Sequence, residues 1–315
     1  MKAAVIDHAG GPDVLSIQER ALPKATSGWS VIHIKAFGLN HAESITRQGG
    51  SPSVQFPRVI GIEAVGEIYE SSTPELVVGE KVMTLMGELG RQFDGSYEEY
   101  ALVPNAQIYQ LPVEADWAQL ATIPESGYTA MGSIKTAKVQ SGQTVLVRGA
   151  TSNVGVAAVQ LLKAMDTTVY ASTRSEKSFD YLTAQGADEP ILDQNGELQT
   201  AATFDAIIDF VGDQTLNDSL SHLKQGDGYM VVTGELADTW ETDTFSAFNI
   251  PWGSYLTNFQ STDINQSWLD EMFSLINQAH LRFPVGQTFE LADIVAAHHL
   301  LDAGHVQGKL IVTTP

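Results

Sequence analysis

The stretch TVLVRGATSNVGVAAVQLLKAMDTTVYASTR, residues Thr144 to Arg174, decides the fold of this chain. An apolar run, Thr144 to Val147, predicts a buried strand, and a loop of small residues, Gly149 to Asn153, follows it. Val154 to Met165 has helical spacing, and Thr167 to Ser172 predicts a second, parallel strand. A strand, tight turn, helix and parallel strand form the unit that binds dinucleotides.

The loop carries an incomplete glycine fingerprint. Against the pattern G-x-G-x-x-G it has Ala150, Ser152 and Gly155, so only the glycine that lets helix and strand pack closely is present. The first turn of a helix offers free N–H groups and a positive dipole end, so a pyrophosphate is expected there. The predicted cofactor contacts of the loop are Ala150, Thr151, Ser152, Asn153, Val154 and Gly155, with amides and side chains of Ser152 and Asn153 as donors. The alternative is an ordinary strand-to-helix turn.

The end of the second strand indicates which nicotinamide cofactor fits. NAD enzymes place an acid there on the ribose 2′-hydroxyl, but this chain has Ser172, Thr173, Arg174 and Lys177, with no acid before Glu176. Hydroxyl groups and two cations suit a 2′-phosphate through charge-assisted hydrogen bonds. NADPH is therefore expected over NADH. The alternative is that both cations are solvated surface charges.

Composition narrows the class of protein. The 315 residues include 17 basic and 38 acidic side chains, a formal net charge of −21, so the surface field repels nucleic acid and anionic membranes. The chain has no cysteine, which excludes disulfides, thiolate nucleophiles and Cys-ligated zinc. We see no membrane-spanning apolar segment and no signal peptide, and expect a soluble, cytoplasmic protein.

Periodicity predicts two domains of different class. The first hundred or so residues contain short strands broken by Gly and Pro, which indicate a partly open β-barrel. From Trp117 onward, helices and apolar strands alternate, which indicates a doubly wound α/β domain with a parallel sheet. Further elements are expected as helices at 176–185, 214–222, 267–279 and 294–303, and as strands at 204–209, 229–232 and 308–312.

Motifs in a fixed order reveal a resemblance that covers nearly the whole chain. They are Gly38-Leu39-Asn40, the run Pro57 to Gly66, Gly95 to Tyr100, Gly127 to Ala130, the loop Arg148 to Gly155, Gly186-Ala187-Asp188 and Gly308 to Val312. Together they resemble the zinc-independent quinone oxidoreductase branch of the medium-chain dehydrogenase/reductase superfamily, which includes zeta-crystallin and enone reductases. The resemblance implies a GroES-like catalytic domain at 1–118 and 256–315 and a Rossmann NADPH-binding domain at 119–255.

The resemblance also bears on zinc. Zinc alcohol dehydrogenases of the superfamily have Cys where Asn40 stands, His where Ile62 stands and a third Cys near Glu125. Since Ile62 has no metal-binding atom, we expect no metal and no Lewis acid. A residual site formed by His41, Glu63 and Glu125 is the alternative.

Without zinc, the implied activity is hydride transfer from NADPH to a quinone or an α,β-unsaturated carbonyl compound, with catalysis mainly by positioning. By resemblance, Asn40 lies near the reacting carbonyl, and Tyr128 is a pocket wall or proton donor, or simply core. The other residues assigned are Ile62, Phe93 and Trp252 for the substrate pocket, and Thr129, Val211, Gly212, Thr233, Gly234 and Lys309 for the cofactor.

Other functions stay open. A non-enzymatic NADPH-binding sensor or crystallin-like protein is the main rival, and a zinc-free reductase of saturated aldehydes or ketones is another. Some relatives bind RNA, but the charge of −21 argues against this. The resemblance implies a homodimer. The physiological substrate, one- versus two-electron quinone reduction, the proton donor and the effect of Ser152 on cofactor affinity are not decided by the sequence.

Overall fold

The structure is a computed structural model that describes residues 1–234, 236, 244–304 and 306–315. Its strands, in chain order, are β1 (Lys2–Ile6), β2 (Leu15–Glu19), β3 (Trp29–Gly38), β4 (Arg58–Val59), β5 (Glu63–Glu70), β6 (Lys81–Leu85), β7 (Tyr100–Pro104), β8 (Tyr109–Gln110), β9 (Thr144–Arg148), β10 (Thr168–Thr173), β11 (Glu189–Gln194), β12 (Glu197–Leu198), β13 (Ala206–Asp209), β14 (Tyr229–Val232), β15 (Tyr255–Asn258), β16 (Val285–Glu290) and β17 (Lys309–Thr313).

The α-helices are α1 (His41–Arg47), α2 (Trp117–Leu120), α3 (Pro124–Thr136), α4 (Asn153–Ala164), α5 (Phe179–Ala184), α6 (Leu216–Ser221), α7 (Gln266–Gln278) and α8 (Ile294–Ala303). Short 3₁₀ turns precede α5 and α6, at Glu176–Ser178 and Asp213–Thr215. Within the described ranges, none of these helices combines the length and apolar character that crossing a membrane requires.

The first compact unit, unit 1, comprises Met1–Glu125 and Pro284–Pro315. Its larger sheet has the order β16-β17-β3-β5-β6-β8, with β7 also paired to β3, and a smaller sheet has the order β2-β1-β4. All pairs except β16 with β17 are antiparallel. The inward side chains, Ile32 and Ile34 of β3 among them, share one apolar core with α8. Short, mostly antiparallel strands around one core are what the sequence predicts for this part of the chain.

The second compact unit, unit 2, comprises Ser126–Phe283. Its sheet has the order β12-β11-β10-β9-β13-β14-β15, and every pair is parallel except β11 with β12. The order reverses at β9, so β9 and β13 flank a topological switch point, where sheets of this class bind ligands at the carboxyl ends of the strands. The doubly wound sheet predicted from the sequence is therefore present.

The second boundary between the units differs from the predicted one. The sequence places it between residues 255 and 256, whereas the contacts place it between Phe283 and Pro284. The reason is that β15 extends the parallel sheet by pairing with β14, and α7 packs against α4. The segment that rejoins unit 1 is therefore β16, α8 and β17.

Candidate active site

The loop after β9 is held tightly against the start of α4. The Gly149 amide donates to Ser172 Oγ at 3.2 Å, and the Ala150 amide donates to the Ser172 carbonyl at 3.1 Å, so the end of β10 anchors the loop. A Cβ atom on Gly155 would lie 2.5 Å from the Gly149 oxygen and 2.7 Å from Ala150 Cα, so only glycine fits there. The retained third glycine of the fingerprint thus lets the loop and helix touch.

Ser152 caps the helix instead of facing a ligand. Its hydroxyl accepts the Gly155 amide at 3.0 Å and donates to the Gly149 carbonyl at 2.9 Å, and its own amide donates to the same carbonyl at 3.1 Å. The hydroxyl and amide hydrogens of Ser152, both predicted to bind phosphate, are therefore used within the loop. The amides of Asn153 and Val154, the first two of α4, have no acceptor within a helix and are the donors that remain.

Two cations follow the end of β10. Arg174 and Lys177 are exposed, and neither forms an ion pair with any described residue. Thr173 Oγ1 accepts the Ser175 amide at 3.3 Å and thereby shapes the turn that carries Arg174. The carboxylate that would select NADH is absent from the sequence at this position.

The end of β13 is organised by a buried acid that sequence reasoning missed. Asp209 Oδ1 accepts the amides of Val211 at 2.8 Å and Gly212 at 3.1 Å, and Oδ2 accepts the hydroxyls of Thr215 and Ser219 at 3.0 and 2.7 Å. Burial raises the pKa of the Asp209 carboxyl, although the nearby Arg148 charge opposes that shift. This acid fixes the turn assigned to the adenosine side of the cofactor.

Arg148, the last residue of β9, is fully buried and joins three neighbouring elements. Its Nε donates to Asp193 Oδ2 at 2.8 Å, one terminal nitrogen donates to Asp218 Oδ2 at 2.7 Å, and the other donates to the Gly196 carbonyl at 2.8 Å. In the sequence, the sign that Arg148 is a buried, paired residue is its position as a charge at the end of an apolar strand. The buried ion pairs hold the loop that follows β9 in register with β11 and α6.

The end of β14 contacts α3 through hydroxyl groups. Thr233 Oγ1 lies 2.8 Å from Ser133 Oγ, and Ser133 Oγ donates to the Thr129 carbonyl at 2.7 Å. A Cβ on Gly234 would lie 2.5 Å from the Phe210 oxygen, so the chain after β14 packs closely on the chain after β13. Thr129, Thr233 and Gly234, all predicted cofactor contacts, are thus brought together in unit 2.

Tyr128 is a core residue, and its geometry does not support the predicted role as proton donor. The side chain is fully buried, its hydroxyl donates to the Asp263 carbonyl at 3.1 Å, and the Asn265 amide donates to it at 2.7 Å. Burial raises the pKa of this hydroxyl, which makes it a weaker acid. Tyr128 therefore anchors the start of α7, because its only proton is held by a backbone carbonyl.

In unit 1, Asn40, Glu63 and Lys309 form a buried polar cluster. Asn40 Nδ2 donates to Glu63 Oε1 at 2.8 Å, Lys309 Nζ lies 2.5 Å from the same oxygen, and the Glu125 amide donates to Glu63 Oε2 at 2.8 Å. Glu63 has no exposed surface and Lys309 has 1%. Lys309, which the resemblance assigns to the cofactor, is thus committed to an ion pair with a buried carboxylate.

Glu43 is a second buried acid of this cluster, and nothing in the sequence singled it out. It accepts amide hydrogens from Asn40 at 2.9 Å and Ile62 at 3.2 Å, and the Asn40 side chain approaches it at 3.3 Å. Burial, followed by repulsion from Glu63, raises the pKa of Glu43 to about 8. The Asn40 amide group, predicted to face the reacting carbonyl, therefore points both hydrogens at carboxyl oxygens.

These residues do not fit a zinc ion. Glu63 is neutralised by Lys309, Ile62 is apolar and 3% exposed, and the His41 side chain of the alternative site is exposed while Glu63 is not. Over residues 1–234, 236, 244–304 and 306–315, no three His, Cys, Asp or Glu side chains group closely enough to hold a metal. The alternative site of His41, Glu63 and Glu125 is not assembled.

The three predicted pocket residues have different environments. Ile62 is buried beside Glu43, and Phe93 is half-buried and packs edge-on against Trp29 at 5.1 Å between ring centroids. Trp252 is 83% exposed and lies in the turn directly before β15, where its carbonyl accepts the Gly226 amide. The assignment of Trp252 to the substrate pocket stays a prediction.

Comparison with known proteins matches both parts of the chain. The alcohol dehydrogenase GroES-like domain family matches residues 26–113, and the zinc-binding dehydrogenase family matches residues 185–312, which confirms the predicted fold class. An acryloyl-coenzyme A reductase of Metallosphaera sedula is 27% identical over 339 residues, 100% of each chain. YhfP of Bacillus subtilis, provisionally assigned as a quinone oxidoreductase, is 31% identical over 232 residues, 70% of this chain and 69% of its own. A solved quinone oxidoreductase from Coxiella burnetii is 27% identical and superimposes with a TM-score of 0.84 over 100% of this chain and 99% of its own.

Proposed function

Since the chain belongs to the medium-chain dehydrogenase/reductase superfamily, we propose that it is an NADPH-dependent, zinc-independent reductase. Its substrates are quinones or α,β-unsaturated carbonyl compounds, a class that includes conjugated thioesters. Relatives named quinone oxidoreductase and acryloyl-coenzyme A reductase support this reaction class, because both names describe acceptors with a conjugated carbonyl. That the chain is an oxidoreductase follows from the family, and the acceptor and cofactor are our proposal.

The observation that carries the proposal is the ion pair between Glu63 and Lys309. In a zinc enzyme, a metal would polarise the substrate oxygen. Here the carboxylate best placed to hold a metal is bound by an ammonium group at 2.5 Å and an amide at 2.8 Å, and the neighbouring Ile62 offers no ligand atom. Acceptors that take hydride without a Lewis acid, by spreading charge over a conjugated system, suit this chemistry.

NADPH fits the donors that unit 2 presents. The close approach at Gly155 and the amides of Asn153 and Val154 suit a pyrophosphate at the start of α4. Arg174 and Lys177, exposed at the end of β10 and without carboxylate partners among the described residues, suit a 2′-phosphate. Beyond β13, Asp209 holds the amide groups of Val211 and Gly212 in place for the adenosine.

When bound, NADPH supplies a hydride that an electron-poor carbon accepts. The protein's part is to fix two loops in advance: Arg148 and Ser172 order the loop after β9, and Asp209 orders the turn after β13. Asn40 orients Glu63 and Glu43 and can turn its amide toward a substrate oxygen by giving up the longer, 3.3 Å contact with Glu43. Because the Tyr128 proton is held by Asp263, we propose that water delivers the proton to the product.

The test is oxidation of NADPH and NADH, followed by the near-ultraviolet absorbance of the reduced nicotinamide, with phenanthrenequinone, benzoquinone and a short 2-enal in parallel. Turnover that is faster with NADPH supports the proposal. Binding of NADPH without turnover of any acceptor would favour the sensor or crystallin-like role. Faster reduction of saturated aldehydes than of the enal would favour the alternative of a zinc-free reductase of saturated aldehydes or ketones.

Zinc independence has its own test. The purified enzyme, treated with a strong chelator and then assayed, should keep its full activity, and elemental analysis should find zinc well below one atom per chain. Stoichiometric zinc, or activity that chelation removes and zinc restores, would contradict the proposal. We also propose a homodimer as the assembly, a small electrophile as the ligand, and no nucleic acid or membrane partner, in keeping with the charge of −21.

A further inference from the structure

The loop between β6 and β7 carries an arginine, Arg91, whose charge has no ion-pair partner in the part of the chain that the structure describes. Arg91 is half-buried, and its Nε atom is buried without a hydrogen-bond acceptor among the described residues. Arg58 Nε also lacks an acceptor, but Arg58 pairs with Asp94 through a terminal nitrogen at 2.9 Å, whereas Arg91 forms no ion pair with a described residue. Burial of a charged N–H group without an acceptor costs free energy, so the unsatisfied Nε of Arg91 needs an explanation.

The charge balance makes this arginine unusual. The chain has 38 acidic and 17 basic residues, so carboxylates outnumber cations. Within the described residues, four other arginines pair with carboxylates: Arg20, Arg47, Arg58 and Arg148. Arg282 donates to the Leu281 carbonyl at 2.9 Å. Arg174, which pairs with no carboxylate among these residues, is the residue proposed for the 2′-phosphate. By the same reasoning, Arg91 is available for an anion that comes from outside the chain.

The Arg91 loop packs directly on the backbone beside the Asn40 cluster. A Cβ on Gly90 would lie 2.6 Å from both the nitrogen and the oxygen of Gly61, so residues 90 and 61 touch. The Met86 amide donates to the Ile62 carbonyl at 2.7 Å, and the Ile62 amide donates to Glu43. The loop that carries Arg91 therefore lies against Gly61 and Ile62, directly before β5, and the Ile62 amide binds Glu43.

We propose that Arg91 binds an anionic group of the substrate, a carboxylate or a phosphate carried by the conjugated acceptor. This inference rests on the proposed function and narrows its substrate class from any quinone or enone to acidic ones. A guanidinium holds either anion through two parallel, charge-assisted hydrogen bonds. In a protein whose overall field repels anions, a local cation of this kind is what gives an acidic substrate a place to bind.

Matched substrates test the inference by removing the anionic group. Acetylacrylate and its methyl ester share one enone and differ by a carboxylate, and acryloyl-coenzyme A and acryloyl-pantetheine share one thioester and differ by the phosphorylated nucleotide. The wild type should reduce the acid of at least one pair with the higher kcat/KM. Arg91→Gln should lower kcat/KM for that acid about tenfold or more, mainly through KM, with the neutral compound within about twofold. The pair that responds identifies carboxylate or phosphate as the ligand.

Two further variants separate charge from structure. Arg91→Lys keeps the positive charge but loses the paired N–H donors of the guanidinium. It should therefore lose only part of the preference for the acid. Lys24→Gln removes one positive charge from an exposed position of the same unit and should leave both pairs unchanged. An equal loss for acid and neutral compound, or no loss for either, would overturn the inference. So would a weaker affinity for NADPH in Arg91→Gln with unchanged use of the acids, since the cation would then serve the cofactor.

A binding measurement keeps the inference separate from the proposed function. Titration calorimetry with levulinate, methyl levulinate, coenzyme A and pantetheine needs no turnover. If the wild type binds levulinate or coenzyme A at least about tenfold more tightly than Arg91→Gln does, the inference holds even when no acceptor is reduced. If enones are reduced but these anions bind both proteins alike, the proposed function stands and the role of Arg91 is wrong.

Discussion

At the scale of single residues, the cluster in unit 1 shows how two buried carboxyl groups coexist. Glu63 lies 2.5 Å from the ammonium of Lys309, so its negative charge is compensated. Glu43 receives only amide hydrogens, and burial and the neighbouring Glu63 raise its pKa to about 8. Glu43 therefore holds its proton to a higher pH than an exposed glutamate does.

A raised carboxyl pKa has a signed effect on stability. The folded protein binds the proton of Glu43 more tightly than the unfolded chain, whose pKa is 4.5, so unfolding releases a proton between these pKa values. The contribution of Glu43 to stability is thus greatest below pH 4.5 and is lost as the pH rises toward about 8.

Glu43→Gln removes this titration. The variant should be less stable than the wild type at about pH 6, because one amide hydrogen of Gln faces a backbone donor, and the difference should narrow at about pH 9, where the wild type has ionised. Urea unfolding at both pH values measures this. Equal differences at the two pH values would show that Glu43 does not titrate in this range.

At the scale of secondary-structure elements, two features define the unit formed by β9, its loop, α4 and β10. One is the close packing of α4 on the loop, and the other is the pair of exposed cations after β10. Gly155 allows the loop to touch the helix, and Ser152 closes the turn by capping it. Arg174 and Lys177 then follow the adjacent strand without carboxylate partners in the described part of the chain. Each feature makes a separate prediction about the cofactor.

Gly155→Ala should weaken NADPH binding at least about tenfold and destabilise the fold by about 1–3 kcal/mol, because the added methyl overlaps Gly149 and Ala150. Fluorescence titration of NADPH and thermal unfolding measure the two effects. Gly11→Ala is the matched control, since a Cβ there meets nothing within 4 Å and φ is −68°. Affinity like that of the wild type in the Gly155 variant would mean that the loop can open without cost to binding.

Arg174→Ala combined with Lys177→Ala should weaken NADPH about tenfold to a hundredfold and leave NADH nearly unchanged, since charge-assisted hydrogen bonds to the 2′-phosphate are lost. Dissociation constants for both nucleotides decide this, with Lys24→Ala as a control for net charge. Equal loss for NADPH and NADH would show that the 2′-phosphate is recognised elsewhere.

At the scale of the whole molecule, one edge of the sheet in unit 2 has the character of an interface. β15 forms that edge, and large apolar side chains are exposed on it and before it, Phe248 at 98%, Trp252 at 83% and Tyr255 at 52%. Apolar groups concentrated beside an open strand edge favour pairing with another chain. This is the observation that supports the proposed homodimer.

Light scattering should therefore give a mass of about twice 34.0 kDa for the wild type. Phe248→Ser with Trp252→Ser should shift the protein toward monomer. Val77→Ser with Val78→Ser, which changes two apolar residues of unit 1 that are 61% and 64% exposed, should not. A monomeric wild type, or the same shift in both variants, would contradict an interface at β15.

Sequence alone determined the class of each unit, because strand alternation, apolar runs and the small-residue loop are local patterns with a direct structural meaning. It also located the loop between β9 and α4, the cations after β10 and most of the elements of unit 2. It could not determine where the second unit ends, since the pairing of β15 with β14 joins residues far apart in the chain. Tertiary structure alone decided that Lys309 pairs with Glu63, that the pKa of Glu43 is raised, that Tyr128 is held by Asp263 and that Arg91 has no ion-pair partner among the described residues. Charges and hydrogen bonds of buried groups depend on which distant residues burial brings together, and no local pattern specifies that.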